Sequence, residues 1–135
     1  MIEDNLMEYL RGVNGDDMTY SVNSARLKDN IVTVYSSSGP QPSLYEGVLR
    51  TMRYQIIIKS SDFDKAKELA YLITEQLEQL KNTVFNVQLQ TITFPVRLYN
   101  IYLLQEPIML GTDDQDVMSY SLNFETKLIK VQQHS

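Results

Sequence analysis

From Met118 to Leu128 the chain alternates almost without fault. Met118, Tyr120, Leu122, Phe124 and Leu128 fall on one side, and Ser119, Ser121, Asn123, Glu125 and Lys127 on the other. A period of two is the mark of a half-buried strand, whose apolar face needs a cover and whose polar face does not. A second run of this kind spans residues 48–59. There Met52, Tyr54, Ile56 and Ile58 oppose Arg53, Gln55 and Lys59, with Ile57 the one exception. These two segments commit much of the chain to a sheet with one covered face.

The cover comes from helical periodicity. Phe63, Ala66, Ala70, Ile73, Leu77 and Leu80 recur at helical spacing, so a long helix is expected over about 61–82. Ser61 is its expected N-cap, Asp62 and Asp64 favour the positive end of its dipole, and Lys81 and Asn82 close it. A shorter amphipathic helix, built on Ile2, Leu6, Tyr9, Leu10 and Val13, ends at Asn14-Gly15. At about 12 residues it is marginal alone and must dock on something.

Further strands are read at Ile31–Tyr35, Phe85–Leu89 and Val96–Leu104, with a short one possible near Tyr20–Val22. Pro95 predicts a bulge or sheet edge. Residues 36–43 (Ser-Ser-Ser-Gly-Pro-Gln-Pro-Ser) and 111–116 (Gly-Thr-Asp-Asp-Gln-Asp) read as loops. The expected fold is therefore α+β: a two-layer sandwich in which a mainly antiparallel sheet of four to five strands is covered by the long helix and the short N-terminal one. At 135 residues, without repeats or low-complexity tracts, a single domain over 1–135 is expected.

Chemistry has little to work with here. There is no cysteine, which excludes disulfides and thiolate sites, and the one histidine, His134, stands next to the last residue. Neither GxGxxG nor GxxxxGK[ST] occurs. No enzymatic activity, cofactor or metal is expected. Twelve basic and seventeen acidic residues leave a net charge of −5 and a pI near 4.8, which does not invite a nucleic-acid backbone. The acidic start lacks the basic region of a secretory signal, and no apolar run approaches the roughly 18 residues that cross a bilayer. A soluble intracellular product is the expectation.

Asp113, Asp114 and Asp116 present hard oxygens, but their spacing departs from a calcium loop, and a solvated turn is the favoured reading. Asp62 and Asp64 are explained by helix capping without invoking acid–base work. Arg50, Arg53, Lys59 and Arg97 are the few candidates for a basic surface. The polar face of the sheet is more informative. Gln55, Asn86, Gln88, Gln90, Ser119, Ser121 and Asn123 are uncharged, where a free sheet face usually carries more charge. That composition suits contact with other protein.

The order of these elements resembles a known family. The residues that carry the likeness are Asn30-Ile31-Val32-Thr33-Val34-Tyr35, a Gly-Pro loop, Arg53-Tyr54-Gln55-Ile56-Ile57-Ile58-Lys59-Ser60, Asp62-Phe63-Asp64-Lys65-Ala66, Gly111-Thr112-Asp113 and Tyr120-Ser121-Leu122-Asn123-Phe124-Glu125. From Leu6 to Lys127 the chain is similar to the tail terminator and minor capsid (head–tail joining) proteins of long-tailed bacteriophages and prophages. The resemblance implies an α+β subunit that forms a homo-oligomeric, hexameric ring on the head-proximal end of the tail. The ring would stop growth of the tail tube and meet the head–tail connector protein. It implies assembly in the host cytoplasm, a final place in the virion, DNA met only in passage, and no membrane. Six copies at −5 give −30, which would repel DNA and not trap it. Expected contact residues are Ser38, Gly39, Pro40, Gln41 and Pro42 in one loop and Asp113, Asp114 and Asp116 in the other. Arg50, Arg53 and Arg97 are expected as charge partners of acidic neighbours. The alternatives are a neck or head-completion connector protein and a small-ligand-binding α+β domain.

Overall fold

A computed structural model describes residues 1–25, 27–37 and 49–131. The loop expected at 36–43 lies mostly outside these residues. Helix α1 (Glu3–Asn14) leads into strand β1 (Thr19–Val22), then β2 (Ile31–Ser37) and β3 (Leu49–Ser60). Helix α2 (Phe63–Glu78) follows, then β4 (Thr83–Gln88), β5 (Thr93–Leu103), β6 (Ile108–Thr112) and β7 (Met118–Lys130). Among the described residues these seven strands form one sheet, with the order β1-β2-β3-β7-β5-β4 and β6 paired to β7 off that path. Every pairing is antiparallel except β1 with β2.

The expected two-layer sandwich with a long helix does not form. Strands dominate, and six of them curl into a half-barrel that holds two short helices. One contact pattern makes the curl visible. Helix α1 touches β1 and β2 at one end of the sheet and β4 at the other, and Asn5 Nδ2 donates to Asn86 O at 3.0 Å. Six flat strands would separate those ends by about 24 Å, whereas α1 is only about 18 Å long. Twist of roughly 20–25° between neighbouring strands accumulates across such a sheet. Bulges between Leu98 and Asn100 and between Met109 and Gly111 increase it.

Four further expectations are corrected: the extent of α2, its N-cap, the place of Phe63 and the break at Pro95. Helix α2 has 16 residues, and its N-cap is Asp62, not Ser61: Asp62 Oδ1 accepts from Lys65 N at 3.1 Å. Phe63 is 45% exposed and lies off the buried stripe, which is Ala66, Leu69, Ala70, Ile73 and Leu77. Pro95 is accommodated within β5 opposite Asn86, so the break in β5 register falls later, between Leu98 and Asn100.

The core fills the concavity. Ile2, Leu6 and Leu10 of α1 and the stripe of α2 meet Tyr54, Ile56 and Ile58 of β3 and Leu122, Phe124 and Leu128 of β7. The Tyr54 hydroxyl accepts from Ile2 N at 3.1 Å, anchoring the start of α1 to the sheet. Asn14 and Gln76 exchange side-chain hydrogen bonds at 2.8 Å, tying the end of α1 to α2. The two helices therefore occupy the inner face, and among the described residues no helix covers the outer face of the central strands.

Candidate functional site

The alternation seen in the sequence sends Arg53, Gln55, Asn123, Glu125 and Lys127 to that outer face. Register places them in cross-strand rows. In the middle, Arg53 lies opposite Glu125, which lies opposite Tyr102. The Tyr102 hydroxyl donates to Glu125 Oε2 at 2.6 Å, and that bond to a carboxylate holds the phenol above its ordinary pKa. The adjoining polar row is amide-rich. Gln55 Nε2 donates to Ser121 Oγ at 2.9 Å and Asn123 Nδ2 to the same oxygen at 3.3 Å, while Ser121 itself is buried. Such a ladder satisfies its own side chains and fixes them in place. The result is an ordered polar surface.

Towards the C-terminal end of β7 the outer face turns apolar. Val84, Arg97, Ile129 and Leu49 stand in successive register across β4, β5, β7 and β3. Val84 is 47% and Leu49 57% exposed. Tyr99, Asn100 and Lys127 complete a shallow groove with Leu49 and Ile129.

At the other end of β7, β6 runs along the same side that β5 occupies further on. Sequence reasoning missed this strand, because Ile108-Met109-Leu110 is too short to show alternation and sits between Pro107 and Gly111. Three consecutive apolar residues between two breakers were the available signal. All three are exposed. Gly111 adopts φ +99, the left-handed region that favours glycine, at the bulge that bends the strand.

The structure scatters the residues singled out from sequence. Arg53 is exposed in the central row and Arg97 half-buried in the apolar row. Arg50 is not a surface charge. It is 5% exposed on the inner face, its Nε has no hydrogen-bond partner, and its terminal nitrogen lies 3.9 Å from Met1 Sδ. Residues Ser38, Gly39, Pro40, Gln41 and Pro42 lie outside the described residues. Asp113, Asp114 and Asp116 follow β6 directly and are exposed.

Asp113 is occupied by its own turn. Its Oδ1 accepts from Gln115 N at 2.8 Å and Val117 N at 3.0 Å. The Val117 backbone bond, then that of Gln115, holds its carboxyl below the usual value, and Lys59 and Lys28 add to this. Among the described residues no three His, Cys, Asp or Glu side chains converge as metal ligands. Because the folded pKa is depressed, the turn's contribution is complete above the unfolded value of about 3.9 and is lost as pH falls through the folded one. Carboxyl-carbon NMR titration of Asp113 should give a midpoint below about 3.9. A midpoint at or above it would show that the turn does not hold the carboxylate.

The cleft between the end of α1, β1 and the start of α2, lined by Asn14, Met18, Tyr20 and Leu69 among others, offers about 170 Å³. A second depression, between α1 and β1 and lined by Asp4, Met7 and the strand from Thr19 to Val22, offers about 420 Å³. No helix among the described residues is long and apolar enough to cross a membrane.

Comparison with known proteins agrees with the resemblance already drawn from the residues. A search among curated proteins finds no match. The family model described as bacteriophage tail terminator protein matches residues 11–129, from the end of α1 almost to the end of β7. With that match over most of its length, the chain belongs to the bacteriophage tail terminator family.

Proposed function

We propose that this chain is a non-enzymatic virion structural protein whose copies form a six-membered ring on the head-proximal end of the phage tail tube. The ring stops tube polymerisation and provides the surface that joins the tail to the capsid connector. Its partners are other copies of itself, the tail tube protein and the head–tail connector protein, and DNA meets it only in passage through the lumen. Family membership supports a structural role in the tail. The observation that carries the reading further is the outer sheet face, which no helix covers among the described residues and whose ordered amide row is flanked by exposed apolar residues at both ends of β7. Exposed apolar groups beside a fixed polar surface suit contact with protein. Arg53, Arg97, Asp113, Asp114 and Asp116 belong to this contact surface, together with the loop residues 38–42.

Electron microscopy of particles made after deletion of the gene tests the proposal. The expected particles have overlong tail tubes and unattached heads. Tails of normal length lying loose from filled heads would move the protein to the connector side of the joint. Intact, infectious particles would overturn the assignment altogether.

A further inference from the structure

Two surface patches on this subunit are complementary to each other and too far apart to meet within one chain. The first is β6. It pairs with β7 along one edge, and among the described residues nothing pairs with the other. Ile108, Met109 and Leu110 are 38%, 60% and 57% exposed, and no residue of β6 is charged. An open strand edge with apolar side chains invites another chain unless charge or proline within it prevents pairing. Acidic residues stand immediately outside the strand: Glu106 before it, and Asp113, Asp114 and Asp116 after it. Lys28 and Lys59 approach Asp113, and two lysines against the four acids Glu106, Asp113, Asp114 and Asp116 leave the patch net acidic.

The second patch is the row Val84–Arg97–Ile129–Leu49 with its neighbour Lys127. It is apolar with a basic centre, and neither this row nor the adjoining Thr51–Lys127–Asn100 row contains an acidic residue. Among the described residues the ion pairs are Met1 with Glu3 and Glu8 with Arg11, so neither Arg97 nor the acids around β6 form an ion pair within those residues. From Ser121, opposite Ile108, to Ile129, β7 covers roughly 26 Å at about 3.3 Å per residue.

We infer that copies of this chain join head to tail, with the Ile108–Leu110 segment and its acidic flanks on one copy seated on the Val84–Arg97–Ile129–Leu49 row of the next. A symmetric joint through either patch alone would set acid against acid or Arg97 against its own kind, which disfavours both. Joining two different patches is a heterologous contact, and it closes into a ring when the rotation per subunit divides a full turn. The inference rests on the ring reading above and names the surfaces that make the ring.

The chain has no cysteine, so the introduced thiols are its only ones, and cross-links are scored between copies of this chain. A variant carrying Met109→Cys and Leu49→Cys together, assembled into tails and treated with a short bismaleimide, should give a ladder of covalent oligomers. Each single variant should give none. A second pair, Leu110→Cys with Val84→Cys, guards against local misalignment of the first. Copies per tail are counted in parallel by quantitative mass spectrometry. Several copies without a ladder from either pair, or with cross-links from the single variants, would overturn the head-to-tail joint and leave the ring reading standing. One copy per tail would overturn the ring reading and the joint together.

Discussion

Phe124→Ala should lower the stability of the fold by about 3–5 kcal/mol, the usual cost of removing a buried aromatic ring. Phe124 is fully buried on β7, opposite Tyr54 of β3 on one side and Leu103 of β5 on the other. It therefore links the β3–β7 and β5–β7 pairings at the centre of the concavity. Tyr54 cannot move to fill the space without breaking the bond from Ile2 N that anchors α1. Set against a typical total of about 5–15 kcal/mol, the loss is a large fraction of the stability. Thermal melting followed by circular dichroism should show a fall of about 10–20 °C. Val84→Ala, at an exposed position, should stay within about 0.5 kcal/mol. A shift below about 1 kcal/mol for Phe124→Ala would mean that this centre is not where the sheet is held together.

Arg97→Glu should have the largest effect on assembly with little effect on folding. The residue lies on the outer face, makes no ion pair among the described residues, and sits in the middle of the apolar row. Reversing its charge places an acid where the neighbour's Glu106 and Asp114 are held to arrive. Loss of a central charged contact commonly costs about 2 kcal/mol or more, which weakens each joint by about 30-fold. Every joint of a closed ring suffers the same loss, so the yield of joined virions should collapse while the melting temperature stays near that of the parent chain. Combining Arg97→Glu with Glu106→Lys and Asp114→Lys restores the opposition with signs exchanged, and joined virions should return. Asp116 is left untouched in that design because its φ of 60° would strain a longer side chain. Normal tails from Arg97→Glu alone would show that this row is not an interface. Failure of the exchanged variant to recover, with its fold intact, would show that the acids around β6 are not the partners.

The candidate surface was legible in parts. The polar composition of the outer face could be read from the alternation of β3 and β7, because side-chain period in a strand is a local property. Arg53 and Arg97 were also marked, and both reach that face. Arg50 shows where the reading breaks down. Its phase on β3 is that of Met52 and Tyr54, so it points inward, and a charge among apolar residues could have been recognised as an inner-face position. The apolar row could not have been found this way. Leu49, Val84 and Ile129 come from three separate segments, and only the register of four strands sets them side by side.

By itself the sequence determined that two helices form, the alternation of β3 and β7 and which side of each is apolar, and the family to which the chain belongs. The elements follow from periodicity and capping, which act over a few residues, and the family from the chain's similarity to known proteins. The tertiary structure alone decided that the sheet curls into a half-barrel, that α1 bridges its two ends, and that β6 continues the line of β5 beside β7. Twist accumulates strand by strand and register is fixed by partners distant in sequence, so neither is written in any one segment.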